Sequence, residues 1–325
     1  LNEILNVKYN SITTPRNLNT PYGLIMTINN NLDKFDDIFI AEMGAYKVGE
    51  IKELCDLVHP KYGILTRIGK AHLELFGSVE NIQKAKFELI ESLPSDGVAV
   101  LNADDPMQVS YKLKNKVKTI WIAIDNDADF RATNIKVSNT GTTFDLIIKG
   151  NKEKYKFETK LLGYANIYNI LASIALGYEF GVNVKQLQSA VKSVNQIEHR
   201  LELKRNGDLT YIDDAYNSNP DGSKMALDVL KMMPGKKIIV TPGMIELGSI
   251  EDLENTKFGE HIADVCDEVI LVGKEQTKAI YKGLKNSEDK IHILEDVIDA
   301  FSLINKLKGK ETYVLLENDL PDACK

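Results

Sequence analysis

A chain of 325 residues, 43% hydrophobic and 27% charged, is long enough for two ordinary domains, each with a buried core. Its formal net charge is −7, from 40 Lys and Arg against 47 Asp and Glu, and no long basic run interrupts the mixture, which gives nucleic-acid binding no electrostatic footing. No apolar run approaches the roughly 20 residues of a membrane span. No signal peptide opens the chain, and the scattered Cys55, Cys266 and Cys324 form neither a disulfide framework nor a zinc pattern, so a cytoplasmic setting is expected.

The opening LNEILN reads as the end of an amphipathic helix, and a chain starting at Leu1 rather than Met is expected to lack an N-terminal piece. Short apolar runs follow at Asp37–Ala41, Tyr62–Thr66, Val98–Leu101 and Thr119–Ala123. Helical patterns lie among them at Glu50–Val58 and Val79–Leu93. That alternation predicts right-handed βαβ units and a buried, mostly parallel sheet. From Arg131 to Leu162 a period of two takes over, with a turn at Asn139–Gly141 and a third strand near Tyr155–Lys160, which predicts a small antiparallel hairpin region. Helices are expected at Asn166–Gly181 and Val184–Val194.

A second α/β series begins after Gln196. Its strands are expected at Thr210–Asp213, Lys237–Thr241, Glu268–Val272, Lys290–Leu294 and Tyr313–Leu316. Helices are expected near Asp221–Met233, Asn255–Val265, Gln276–Leu284 and Val297–Leu307, completing a Rossmann-like unit. The break falls near Asn195–His199, giving domains 1–196 and 197–325. No short internal repeat is visible.

Polar residues recur at the carboxyl ends of these strands, where open α/β sheets bind ligands. In AEMGAYKVGEI, Glu42 follows a strand and suits Mg²⁺, although a lone loop Glu is more often solvated; Gly44 and Gly49 read equally well as turn residues. In TRIGKAHLELFG, His72 follows the next strand and could ligate or orient, or could be a hydrogen-bonded structural histidine. Neighbouring strands would bring the two towards one crevice. Lys84 and Lys86 lie two apart on a helix and point to different faces, so spacing alone makes both solvated. VLNADDP is ordinary turn chemistry. Asn166 and Asn169 place two amides on one helix face, where they could bind the edge of a base, or Asn166 could be only an N-cap. Arg200 in EHRLE could reach a ribose or phosphate, or form an interdomain salt bridge. IDDAYNSNP and TPGMIELG are functional loops or simply capped βα turns.

In order and spacing, EMGA…GEI, IGKAHLE, AKFELI, LNADD, the paired Asn, HRLE, DDAYNSNP and PGM.ELG resemble the Mur ligase family. NLNTPYGL at Asn17–Leu24 is similar to the N-x-N-N-x-x-G segment of the branch that adds D-alanyl-D-alanine. The likeness runs from about residue 14 to 275. It implies a central ATP-binding domain followed by a Rossmann-like C-terminal domain. It implies an ATP-dependent amide ligase of peptidoglycan precursor synthesis, cytoplasmic and monomeric, joining D-alanyl-D-alanine to a UDP-N-acetylmuramoyl-tripeptide through an acyl phosphate. The residues it implies are Glu42 and His72 as Mg²⁺ ligands, and Lys86 as a carbamylated lysine that helps hold a second Mg²⁺. Lys86 and His72 would be the catalytic pair. Asn166 and Asn169 would face the adenine of ATP, with Arg200 and Asp214 on ribose and phosphate. Asn17, Asn19, Asn217 and Asn219 would line the substrate side.

The sequence departs from the family pattern in three places. It contains no G-x-x-G-K-[ST] phosphate loop, so the stretch from Leu1 is expected to be a fragment that binds ATP poorly and does not turn over. Tyr164–Ala165 stands where the family has a His before the first Asn, and LLENDLPD replaces a K-G-S-R type ending. The altered ending leaves two alternatives: a related ligase with a different amine acceptor, or a non-catalytic paralogue.

Overall fold

The computed structural model describes residues 1–15, 18–69, 72–216, 219–245, 247–285 and 288–318. Two compact units make up the chain. The first comprises Leu1–Lys136, Thr143–Thr159 and Ala165–Val194; the second takes in Val137–Thr142, Lys160–Tyr164 and the chain from Asn195 onward. Two short segments of the N-terminal part therefore belong with the C-terminal unit, where the sequence suggests a single break.

In the first unit, β1 (Ser11–Thr13) and β2 (Ile38–Ile40) form a parallel pair of their own, with Ser11 opposite Ile38. This corrects one expectation. The strand at Asp37–Ala41 forms, but its hydrogen-bonded neighbour is β1 and not the strand at Tyr62. A second sheet runs in the order β3 (Tyr62–Ile64), β4 (Val98–Asn102), β5 (Lys118–Ala123), β6 (Phe130–Ser138), β7 (Gly141–Ile148), β8 (Lys154–Thr159). Its first four strands pair in parallel. All five residues of β4 are buried, as expected of a strand covered on both faces. In β7 burial alternates, with Phe144, Leu146 and Ile148 inward, because a strand's side chains alternate between the faces.

Helix Val79–Glu91 starts at Ser78, whose hydroxyl accepts from the Asn81 N–H. It packs Ile82, Ala85, Phe87 and Ile90 into a cluster with Ile51, Leu54 and Cys55 of helix Glu50–Val58. The second helix begins after Gly49, which offers no capping side chain. Glu88 supplies the missing acceptor: its two carboxylate oxygens take the N–H groups of Gly49 (2.7 Å) and Lys52 (3.0 Å). A carboxylate at a helix N-terminus satisfies orphan donors and complements the dipole.

In the second unit the sheet order is β13 (Ile291–Leu294), β12 (Glu268–Val272), β11 (Lys236–Thr241), β14 (Thr312–Glu317), β10 (Leu209–Asp214), β9 (Glu202–Asn206). Every pair is parallel except β9 with β10. Alternation splits the core cleanly. Ile212, Ile239, Val269, Leu271 and Leu315 face one layer of helices, while Ile238, Val240, Ile270, Val314 and Leu316 face the other. The edge strand β9 is absent from the sequence reading because ELKRN carries little apolar signal and is largely exposed.

Candidate active site

Where β2 ends, Ala41–Gly44 leads away from the sheet. The Glu42 N–H donates to Thr14 Oγ1 (3.1 Å), and Asn19 Nδ2 donates to Glu42 Oε1 (3.2 Å). The Gly44 N–H donates to the Asn19 carbonyl (2.9 Å), and a Cβ at residue 44 would come within 2.9 Å of the Asn19 side chain. Close approach, rather than a turn, therefore requires this glycine. Tyr46 is anchored through its N–H to Glu50 Oε2 (2.7 Å) and packs edge-on against His72, with ring centroids 4.9 Å apart. His72 itself sits at φ 56°, a left-handed conformation uncommon for a residue with a side chain.

Lys86 approaches from helix Val79–Glu91. It is half-buried while Lys84 is exposed, so the two lysines do face differently. Burial pushes the Lys86 amine below its ordinary pKa, and the nearby Glu42 carboxylate only partly opposes this. Asn19, Glu42 and Lys86 thus come near one another from separate segments, and Tyr46, on the same segment as Glu42, meets His72. Asn17 lies outside the described residues, as does Asn217. Among the described residues, no group of three or more His, Cys, Asp or Glu could hold a metal unaided.

The LNADD turn after β4 does more than change direction. Asp104 accepts from the N–H groups of Ile124 (2.6 Å), Asp125 (3.0 Å) and Asn126 (2.8 Å), and from the Tyr168 hydroxyl (2.8 Å). Burial alone would raise the Asp104 carboxyl, but these donors outweigh it and hold it below its usual value. Asp105, almost fully buried, accepts from Ile68 N–H (2.8 Å), Met107 N–H (3.0 Å) and Gln108 Nε2 (3.0 Å). One turn therefore fixes both the loop leading to His72 and the helix Gly163–Glu179 that carries Asn166 and Asn169. That helix starts three residues before Asn166, which removes the N-cap alternative for this side chain. Asn166 is half-buried and Asn169 exposed. The Asp104–Tyr168 tether escapes the sequence reading, since Asn and Asp are common in any turn; two adjacent carboxylates after a fully apolar strand are the signal that could have found it.

Replacing Asp105 by Ala is expected to destabilise the first unit by about 2 kcal/mol, because it leaves buried N–H donors without an acceptor. Urea unfolding checks this; a loss under about 0.5 kcal/mol would show that water replaces the carboxylate.

In the second unit, Asp213 and Asp214 end β10. Asp213 is buried; its Oδ2 accepts from Lys204 Nζ (2.6 Å), and His199 Nδ1 lies 2.9 Å from the same oxygen. Asp214 Oδ1 accepts from the Leu201 N–H (3.1 Å), and the Arg200 guanidinium lies over the Tyr216 ring at 4.5 Å. Asn219 caps helix Pro220–Met232, its Oδ1 accepting from Gly222 N–H (3.0 Å). The start of the unusual C-terminal segment joins this sheet end. Glu317 pairs in register with Asp214, Asn318 N–H donates to the Asp214 carbonyl (3.3 Å), and Asn318 Nδ2 donates to the Gly243 carbonyl. The rest of LLENDLPD, from Asp319, lies outside the described residues.

Burial pushes the Asp214 carboxyl up to about 6, with Asp213 adding to the rise and the Leu201 N–H and Arg200 opposing it. The folded state then binds more protons than the unfolded one between pH 3.8 and about 6, so this group's contribution to stability falls as pH rises through that window. Asp214→Asn is therefore expected to stabilise the protein relative to the parent above about pH 6, with the difference closing towards about pH 4. Thermal midpoints across that range test the sign; a pH-independent difference would contradict it.

Compared with known proteins, residues 1–177 match the Mur ligase middle domain and residues 199–317 match the Mur ligase glutamate ligase domain. A curated relative from Escherichia coli, UDP-N-acetylmuramoyl-tripeptide–D-alanyl-D-alanine ligase, is 33% identical over 272 residues, which is 82% of this chain and 59% of the relative. The protein of the same name from Bacillus subtilis is 30% identical over 323 residues, 98% of this chain and 69% of the relative. The chain thus spans between 59% and 69% of the length of these two relatives. Among solved structures, MurF ligase from Thermotoga maritima in complex with ADP aligns with a TM-score of 0.86 at 24% identity, covering 98% of this chain and 72% of that one. MurF from Acinetobacter baumannii aligns with a TM-score of 0.85 at 24% identity, covering 98% and 69%. At that identity the structural likeness speaks for the fold.

Proposed function

The chain belongs to the Mur ligase family, and from that premise we propose that it is the nucleotide-binding and C-terminal part of an ATP-dependent ligase that joins D-alanyl-D-alanine to a UDP-N-acetylmuramoyl-tripeptide. The observation that carries this reading is that Glu42, held by Asn19, lies near the half-buried Lys86, with His72 packed on Tyr46 four residues further along the Glu42 segment. The substrate carboxylate attacks the γ-phosphorus of ATP, the bond to ADP breaks, and an acyl phosphate results. The amine of the acceptor attacks that carbonyl and loses a proton, and phosphate leaves as the amide forms. Asn166 and Asn169 face the adenine, Arg200 and Asp214 the ribose and phosphates. Asn19 and Asn219, with Asn17 and Asn217, line the substrate side.

The residues fit Mg²⁺. This ion prefers oxygen ligands, keeps several waters, and usually takes one or two carboxylates plus substrate phosphates. Glu42 and His72 would hold it, with Lys86 as its carbamate, and bound there it would screen the repulsion between carboxylate and phosphate. Asn19 fixes one oxygen of Glu42, and Tyr46 limits the tilt of the His72 ring. Among the described residues no helix is long and apolar enough to cross a membrane; the proposed enzyme works in the cytoplasm as a monomer.

The complete gene product should release phosphate from ATP only when the nucleotide-linked tripeptide and D-alanyl-D-alanine are both present, with the amide detected by mass spectrometry. No phosphate release with any such pair would overturn the reading and favour a non-catalytic paralogue. A second reading, a different amine acceptor, draws on Glu317 and Asn318, which stand beside Asp214 where the family ending differs. Equal turnover across a panel of dipeptides and amino acids would favour it.

A further inference from the structure

The charge of the first unit is unevenly spread. Between residues 149 and 159, and on helix Val184–Ser193, the unit exposes Lys149, Lys152, Lys154, Lys156, Lys185 and Lys192 against only Glu153 and Glu158. Six lysines less two glutamates give +4 within a chain of net −7, so the remaining residues carry −11. Phe157 and Thr159 of β8 turn inward, and Lys154 and Lys156 therefore share the outward side of this edge strand. Gln188 holds helix and strand together by donating to the Lys156 carbonyl (2.8 Å). Between them runs a shallow groove of about 410 Å³ edged by Lys156, Lys185 and Lys192. Lys192 pairs with Glu158; among the described residues the other five lysines form no ion pair.

We propose that this lysine face, the β7–β8 turn with β8 and helix Val184–Ser193, docks the protein on a membrane surface rich in anionic lipid headgroups. Three features choose that partner. All six cations are Lys and none is Arg, so the face offers compact point charges rather than the planar fork that reads a particular phosphate or carboxylate. No large hydrophobic residue is exposed between residues 149 and 160 or 183 and 193, so the face lacks the apolar anchors that carry protein–protein interfaces. The lysines are spread along a hairpin and an adjoining helix, matching a diffuse negative potential that reaches about one Debye length from a surface, roughly 10 Å at 0.1 M salt.

The test needs no turnover and is independent of the ligase reading. The protein is co-sedimented with vesicles of phosphatidylcholine, alone or with about one third phosphatidylglycerol, at low and at raised salt. Binding is expected only to the anionic vesicles and should weaken steeply with salt. The triple variant Lys154→Gln, Lys156→Gln, Lys185→Gln should lose roughly fivefold in partitioning for each lysine removed, or about 100-fold together. All three positions are exposed, and an unchanged far-ultraviolet circular dichroism spectrum confirms that the variant folds. Absence of binding at low salt, equal binding to neutral vesicles, or undiminished binding by the variant would each overturn the proposal. Retention on immobilised polyglutamate without vesicle binding would also overturn it and assign the face to an acidic protein.

Discussion

Lys86→Met is expected to lower ligation by the complete enzyme roughly 100- to 1,000-fold, the range typical for loss of one group that stabilises developing charge. Lys86→Arg should fall just as far. The reason lies in what the half-buried amine can become. Burial favours its uncharged form, while Glu42 favours the ammonium, and the net result is a pKa below the ordinary lysine value. A neutral amine adds to carbon dioxide, forming an N–C bond and releasing a proton, and so becomes a carbamate. That turns a cation into an oxygen anion suited to Mg²⁺. Arginine keeps the positive charge and cannot take this path. Steady-state rates of both variants, together with ¹³C NMR of the parent in labelled bicarbonate, separate the possibilities. An arginine variant within tenfold of the parent would mean that the positive charge itself is what the site uses.

Gly259→Val is expected to cost about 4 kcal/mol, at the upper end of what overpacking does, which removes most of the stability of a unit at the low end of the ordinary range of about 5–15 kcal/mol. Helix Glu251–Val265 crosses helix Lys278–Gly283 at two glycines. A Cβ at Gly259 would stand 2.2 Å from the Ile280 carbonyl oxygen, and one at Gly283 would stand 2.0 Å from the Thr256 carbonyl oxygen. Both obstacles are backbone, so no rotamer change relieves them; the helices must separate. Alanine at Gly259 gains up to about 1 kcal/mol of helix propensity, yet should still destabilise, because the clash begins at Cβ. Chemical denaturation of both variants decides the point. An alanine variant as stable as the parent would mean that the crossing yields without cost.

The second unit was readily legible. Its strands from Leu209 onward alternate with helices, and an apolar run buried on both faces, such as VILV in Glu268–Val272, needs no partner in sequence to announce itself. In the first unit, β1 was not legible, because three residues with a single buried side chain carry no period. The consequence was a wrong neighbour for β2. What links the segment of Glu42 to His72 is the ring contact of Tyr46, not strand pairing. Helix Pro21–Asn31 also stayed hidden. Thr20 caps it and Pro21 opens it, but Tyr22, Ile25 and Met26 are exposed, so its apolar residues do not mark a buried stripe. Lys86 illustrates a different limit. Spacing on an amphipathic helix makes it one more solvated lysine, and only its burial beside Glu42 distinguishes it from Lys84.

The two short excursions of the chain into the second unit bear on modularity. Leu162 belongs to that unit's core cluster, and Val137 packs against it. Asn139 closes a polar bracket there: its Nδ2 donates to the Tyr313 hydroxyl (3.0 Å), and its carbonyl accepts from Arg205 (2.7 Å). A cut at Asn195 therefore does not free a self-sufficient module; it leaves a sheet with part of its apolar cover removed and both hydrogen bonds to Asn139 lost. Chimeras that trade this unit between relatives need residues 137–142 and 160–164 to travel with it, as non-contiguous pieces of one transplant.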